Sequence, residues 1–138
     1  MWTYVQSSGD LFRGNEYIET GYSGKVPEGK NNPSKECVKN VGPIPRGSYD
    51  IGPEKASPSP VTLVLAADDP NYCNPPRDGF LIHGDNSTGT ASTGCIILSR
   101  KARERIRDSA DDRLKVVRDS VRVSRIKRRK YAVSLGLV

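Results

Sequence analysis

Two short stretches decide the fold and the chemistry expected of this sequence: FLIHG at residues 80–84 and STGCI at residues 92–96. The first contains His83, the only histidine of the chain, at the end of an apolar run that predicts a buried strand. The second places Cys95 twelve residues later, between a glycine and two isoleucines. A cysteine nucleophile needs a neighbouring base or cation that lowers its thiol pKa from about 8.5. The pair therefore predicts a cysteine-dependent acyl-transfer enzyme.

Each of the two residues also has an ordinary structural explanation. His83 can be a satisfied polar residue at a strand end, and Cys95 a small buried hydrophobe. Residues 85–94, however, are nearly all small and polar, which does not suit a core. Gly94 can adopt a positive φ, so the backbone N–H groups of Gly94 and Cys95 are candidates for an oxyanion hole. A papain-like peptidase is disfavoured because there the cysteine precedes the histidine. The setting favours catalysis.

The stretches resemble the YkuD-like L,D-transpeptidase family, which acts on bacterial peptidoglycan. His83-Gly84 matches the first half of the family motif, and Ser92, Gly94 and Cys95 match the second. Thr93 stands where most members have a second histidine, and the spacer is short. In both features the sequence resembles the small branch of the family that type VI secretion systems deliver as effectors.

Three upstream segments strengthen this resemblance, which covers about residues 3–107: GYSG at residues 21–24, NNP at residues 31–33 and GPIPRGSY at residues 42–49. The resemblance implies a cysteine enzyme that attacks the L-centre of the third residue of a peptidoglycan stem peptide. Water as the acceptor makes it an L,D-carboxypeptidase that releases the terminal D-alanine. A D-amino acid or a second stem as the acceptor makes it an L,D-transpeptidase.

The roles of single residues follow from the same resemblance. Cys95 is the nucleophile, His83 is the general base, and the backbone carbonyl of Ser92 orients the imidazole. Tyr22 and Ser23 match a wall of the substrate site. Two further substrate-binding candidates come from their positions beside the motif, because Arg100 can bind a carboxylate in a bidentate way and Asp85 directly follows His83-Gly84. Arg100 can equally be a plain residue at a helix start, and Tyr22 ordinary core.

The remaining pattern predicts a mainly β fold, a β-rich sandwich or barrel like that of the L,D-transpeptidases, with one short helix after the catalytic cysteine. Ser99 is a suitable N-cap for a helix over about 100–110. Apolar residues recur every four positions from just before this helix to its end and form a stripe: Leu98, Ala102, Ile106 and Ala110. A long structured loop is expected over 23–47. The expected strands cover residues 2–6, 11–13, 17–22, 48–51, 61–66, 79–83, 114–117 and 121–123.

Charge is unevenly distributed along the 138 residues, which fit a single catalytic domain with a basic C-terminal segment at about 124–138. Residues 1–99 carry 8 Lys and Arg against 11 Asp and Glu, whereas residues 100–138 carry 14 against 5. Interleaved aspartates make a solvated or partner-binding face the favoured interpretation, and no nucleic acid is expected. A non-catalytic cell-wall or nucleic-acid-binding module that uses the basic segment is the alternative.

Cys37 and Cys73 lie in loops rich in Pro and Asn. A disulfide between them would leave Cys95 free, and two reduced loop cysteines are the other possibility. Their spacing with one histidine does not form a zinc signature, so neither a metal nor a cofactor is expected.

The N-terminus has no basic start followed by an apolar stretch, so no signal peptide is expected, and no apolar run is long enough to span a membrane. We therefore expect a monomer made in the cytoplasm, secreted without a signal peptide, and acting in the periplasm of a target cell. Its expected partners are stem peptides, an immunity protein and a secretion-system carrier.

Overall fold

The computed structural model of the chain describes residues 1–119. This region is mainly β with a single short α-helix, as the sequence predicts. The strands are β1 (Trp2–Val5), β2 (Asp10–Arg13), β3 (Glu16–Thr20), β4 (Tyr22–Ser23), β5 (Gly47–Lys55), β6 (Thr62–Ala67), β7 (Leu81–His83), β8 (Ile96–Ile97) and β9 (Arg113–Val117). The helix α1 covers Arg100–Asp108, and a short 3₁₀ turn covers Pro33–Lys35.

The nine strands of the described region form one sheet in the order β3-β2-β1-β9-β5-β6-β7-β8-β4. Its two edge strands, β3 and β4, follow each other in the chain with only Gly21 between them, so the sheet is nearly closed. A side chain at Gly21 would collide with the carbonyl of Ile97 in β8. The Gly21 N–H donates to the Gly9 carbonyl at 2.8 Å. Glycine at this position therefore permits the close approach that brings the two edges together.

The core is one cluster of buried apolar side chains from the strands, α1 and the loop before β5. The helix contributes because its N-cap forms as predicted: the Ala102 N–H donates to Ser99 Oγ at 3.1 Å. Ala102 and Ile106 are buried, but Ala110 is exposed, because α1 ends at Asp108 and Ala110 lies beyond the last turn. The other core side chains are Trp2, Tyr4, Leu11, Ile44, Tyr49, Leu63, Leu65, Phe80, Ile82, Ile96, Leu98, Leu114 and Val116.

The long loop between β4 and β5 is held by a disulfide. Cys37 and Cys73 are bonded, with their Cα atoms 5.3 Å apart, which decides between the two possibilities that the sequence left open. Next to the disulfide, the carboxylate of Glu36 accepts hydrogen bonds from Arg46, Gln6 and Tyr72. The bond from Arg46 Nη2 to Glu36 Oε2 is 2.6 Å long.

Most predicted strands are present with small shifts at their ends, and β5 is longer than predicted, since it pairs with both β6 and β9. The predicted strand at 121–123 and the basic segment at about 124–138 lie outside the described residues. Within residues 1–119, no helix has the length and apolar character that crossing a membrane requires.

Candidate active site

The histidine and cysteine segments meet because β7 and β8 are parallel neighbours. Ile82 pairs with Ile96, so Cys95 lies beside Leu81, and its thiol makes a hydrogen bond with the Leu81 backbone. His83 ends β7 and pairs with Ile97, two residues after Cys95, so the two residues come from neighbouring segments of the sheet. In ideal strands, at about 3.3 Å per residue and about 4.8 Å between strands, two positions offset in this way have Cα atoms roughly 8 Å apart. Two side chains that extend toward each other can close much of that gap.

The imidazole of His83 is 7% exposed and is oriented by a backbone carbonyl. Its Nδ1 lies 2.8 Å from the carbonyl oxygen of Gly84. A carbonyl only accepts, so Nδ1 carries the proton, and the neutral ring then presents Nε2 as its basic nitrogen. Among the described residues no hydrogen bond joins the imidazole to the Cys95 thiol. Such contacts are often long before substrate binds.

Ser92 does not have the place that the sequence predicted for it. The carbonyl bonded to Nδ1 of His83 belongs to Gly84 instead, because the chain turns back on the imidazole directly after β7. Ser92 is buried, and its hydroxyl donates to the Cys95 carbonyl at 2.6 Å while accepting from the N–H groups of Gly24 and Gly94. Ser92 therefore shapes the turn that presents the cysteine.

The same contacts change the expected oxyanion hole. The Gly94 N–H is 3.1 Å from Ser92 Oγ and is used in that bond, so it is not available to an oxyanion in this conformation. Gly94 has φ +153°, a conformation that favours glycine. The N–H of Cys95 is then the remaining candidate of the predicted pair.

Ser23 cannot touch a substrate in this structure, because its side chain is completely buried. Its hydroxyl donates to the Gly94 carbonyl at 2.9 Å and accepts from the Ile44 N–H at 2.8 Å. This burial does not fit the substrate-binding role predicted for Ser23. Ser23 ties the cysteine turn to the loop before β5.

Three other predicted substrate residues line one groove of about 710 Å³: Tyr22, Asp85 and Arg100. The Tyr22 hydroxyl donates to Asp85 Oδ1 at 2.6 Å and accepts from the Ala91 N–H at 2.9 Å. Burial, reinforced by the bond to Asp85, raises the pKa of Tyr22 to about 12. Arg100 has a 62% exposed side chain and a contact of 3.4 Å with Glu104. Tyr22 thus spans the loop after His83, and Arg100 is available to solvent.

Cys95 opens into a different, smaller cavity of about 190 Å³, whose wall includes Lys39, Arg77 and Phe80. The cysteine is the free thiol of the described region. Burial raises the pKa of the Cys95 thiol, and the hydrogen bond with Leu81 and the charges of Arg77 and Lys55 act against that increase. The thiol is therefore partly sheltered and faces positive charge.

Sequence reasoning missed Arg77, which is 9% exposed and lies beside the cysteine turn. A side chain at Gly94 would come within 2.6 Å of the Arg77 guanidinium. The arginine sits in the stretch NPPRDG at residues 74–79, which has the composition of an ordinary turn. No pattern in that stretch distinguishes it from a solvated arginine.

Comparison with known proteins gives one match and one negative result. The model of the Tlde1 domain matches residues 18–124, which includes both His83 and Cys95 and most of the chain. No curated protein matches the chain. Among residues 1–119, no group of three or more His, Cys, Asp or Glu side chains is arranged to hold a metal ion. The chain belongs to the Tlde1 domain family and is a type VI secretion effector.

Proposed function

We propose that this effector is a cysteine-dependent enzyme of the L,D-transpeptidase type that modifies peptidoglycan in the periplasm of a target cell. Cys95 attacks the carbonyl at the L-centre of the third stem residue. The terminal D-alanine leaves, and either water or a D-amino acid takes its place. The observation that carries this proposal is the pairing of β7, which ends in the oriented His83, with β8, which directly follows the free thiol of Cys95.

We assign each step of this proposed mechanism to a group of the chain. His83 Nε2 accepts the thiol proton, and the Cys95 sulfur forms a bond with the carbonyl carbon, whose oxygen becomes an oxyanion. The Cys95 N–H is the donor proposed for that oxyanion. As the carbon–nitrogen bond breaks, the imidazolium returns its proton to the departing D-alanine amine, and a thioester remains. Water or an incoming amine then attacks the thioester and regenerates the thiol.

The groove of Tyr22 and Arg100 is the proposed binding surface for the stem peptide. Stem peptides carry carboxylates, and the exposed Arg100 guanidinium can pair with one of them in a bidentate way. Lys30 adds a second positive charge, with Nζ 4.5 Å from the centre of the Tyr22 ring. Asp85 acts here through Tyr22, because its carboxylate accepts a hydrogen bond from the Tyr22 hydroxyl.

The test is mass spectrometry of defined tetrapeptide muropeptides incubated with the protein, with and without an added D-amino acid. We expect a tripeptide product with water and an exchanged tetrapeptide with the D-amino acid. Cys95→Ser is the matched control because it replaces one atom. Equal turnover by Cys95→Ser and the unmodified protein would refute the proposal.

An immunity protein is consistent with an effector domain, and we propose it as the partner in the producing cell. The alternative of a nucleic-acid or cell-wall-binding module rests on the basic segment at about 124–138, outside the described residues. No observation in residues 1–119 favours that alternative over the enzyme.

A further inference from the structure

Arg77 is a buried cation whose hydrogen bonds within the described part of the chain all go to neutral groups. Its guanidinium donates to four backbone carbonyls: those of Glu36 at 2.6 Å, Pro43 at 3.0 Å, Gly42 at 3.3 Å and Thr93 at 3.1 Å. Three of these carbonyls belong to the loop before β5, and the fourth belongs to the cysteine turn. Arg77 therefore joins the two segments that form opposite parts of the cavity wall.

No carboxylate within residues 1–119 forms an ion pair with Arg77. The Glu36 carboxylate is bonded to Arg46, Gln6 and Tyr72, and Asp78, which lines the same cavity, is exposed to solvent. Buried charges in proteins are ordinarily paired, since an uncompensated one is costly. The face of Phe80, 5.1 Å from the guanidinium carbon, supplies only part of that compensation.

The cavity contains a group that can become the missing counter-charge, the thiol of Cys95. Arg77 and Cys95 line the same cavity, and the guanidinium lies against Gly94, the residue directly before the cysteine. The positive charge of Arg77 acts to lower the pKa of the Cys95 thiol against the effect of burial. Lys39 and Lys55, the other cations near the thiol, have exposed side chains that water and salt screen.

We infer that Arg77 is a positioning residue that holds the cysteine turn against the loop before β5 and provides the counter-charge of the Cys95 thiolate. This inference rests on the proposed function only in using Cys95 as the reactive group. Because a thiolate can be measured without peptidoglycan, failure of the inference and failure of the proposed function are separate results.

The test is the pH dependence of alkylation of Cys95 by iodoacetamide, followed by mass spectrometry; the disulfide-bonded Cys37 and Cys73 do not react. Arg77→Gln should move the midpoint upward by about one pH unit, which corresponds to about tenfold slower alkylation at neutral pH. Arg77→Lys keeps the positive charge, so the midpoint of its alkylation profile should stay near that of the unmodified protein. Because an ammonium group cannot donate to four carbonyls as the guanidinium does, its melting temperature should fall.

Arg103 offers a matched control, because it does not line the cavity of Cys95. It is 5% exposed and also donates to backbone carbonyls, including those of Leu98 and Pro60, but it is not among the charges that act on the Cys95 thiol. Arg103→Gln should lower the melting temperature and leave the alkylation midpoint unchanged. A folded Arg77→Gln protein with an unchanged midpoint, or an equal shift in Arg103→Gln, would overturn the inference.

A second measurement applies if Arg77→Gln does not fold. In a Lys39→Gln/Lys55→Gln variant, Arg77 is the cation that residues 1–119 leave at the thiol. The ratio of the alkylation rates with anionic iodoacetate and neutral iodoacetamide should then exceed that of N-acetylcysteinamide several-fold at low salt. A ratio equal to or below that of the free thiol would contradict the role of Arg77.

Discussion

The cavity of Cys95 and the groove of Tyr22 and Arg100 share no lining residue and are built in different ways. The wall of the cavity is held by the disulfide, by the bonds of Arg77 and by the cluster around Glu36. The groove is bordered by exposed side chains such as Arg100 and Lys30, whose charges remain in solvent. The cavity wall is thus held by buried and covalent interactions, whereas the charges of Arg100 and Lys30 at the groove are exposed.

This difference separates two kinds of substitution. A change in the cavity wall should act on stability or on the chemical step, because its contacts are buried and cooperative. A change in the groove should act on binding, because an exposed charge contributes little to folding. The predictions below test this division, beginning with the largest expected effect.

Removing the nucleophile should separate chemistry from folding most sharply. Cys95→Ala deletes one partly buried sulfur and leaves the strands and the disulfide in place. We expect at least a thousandfold loss of muropeptide turnover, since covalent catalysis fails without the thiol. The melting temperature should stay within a few degrees of the original. Substantial turnover by this variant would show that the cavity is not the catalytic centre.

Removing the disulfide, which holds the cavity wall, should lower the free energy of unfolding. The two cysteines are separated by 36 positions in the sequence. For a loop of that length the chain-entropy model gives a stabilisation of the folded state by about 3–4 kcal/mol. The Cys37→Ala/Cys73→Ala variant should lose that amount in a denaturant titration. Reduction with a dithiol should reproduce the loss in the unmodified protein and add nothing in the variant. An unchanged unfolding curve would mean that the other contacts hold the loop alone.

Acid should lower the stability of the same cavity wall, because it protonates Glu36. Burial acts to raise the pKa of this carboxyl, but hydrogen bonds from Arg46 and Gln6 outweigh it and lower the pKa to about 2 from 4.5. A lowered pKa means that the stabilisation is fully present above about pH 4.5 and is lost as the pH falls toward 2, with a total on the order of 3 kcal/mol. Denaturant titrations at a series of pH values measure this slope. Glu36→Gln should be less stable at neutral pH and show a flatter slope in that window.

The smallest effect belongs to the groove. Arg100→Ala should raise KM for tetrapeptide muropeptides about three- to tenfold, with kcat and the melting temperature nearly unchanged, because an exposed bidentate contact contributes uniformly to substrate binding. Lys101→Ala is the control, since Lys101 is an exposed cation next to Arg100 that does not line the groove. A loss in kcat without a change in KM would place Arg100 with the chemistry and blur the division between the two regions.

Local pattern was enough for much of this molecule. The apolar run before His83, the Ser99 cap and the spacing of Ala102 and Ile106 predicted β7 and α1 with small errors at the ends. These features are encoded by neighbours in sequence: a side chain that caps its own helix, and residues whose period places them on one face. Gly94 was expected to be able to adopt a positive φ, and its φ is +153°.

What the sequence by itself determined is the class of the fold, the order of most of its elements and the two residues, His83 and Cys95, on which the proposed chemistry rests. Only the tertiary structure decided that Gly84 rather than Ser92 orients the imidazole, that Ser23 is buried, and that Arg77 lies against the cysteine turn. Each of these depends on which loops face each other across the sheet. Hydrogen bonds between loops distant in sequence arise only when the strands have paired, so no local pattern contains them.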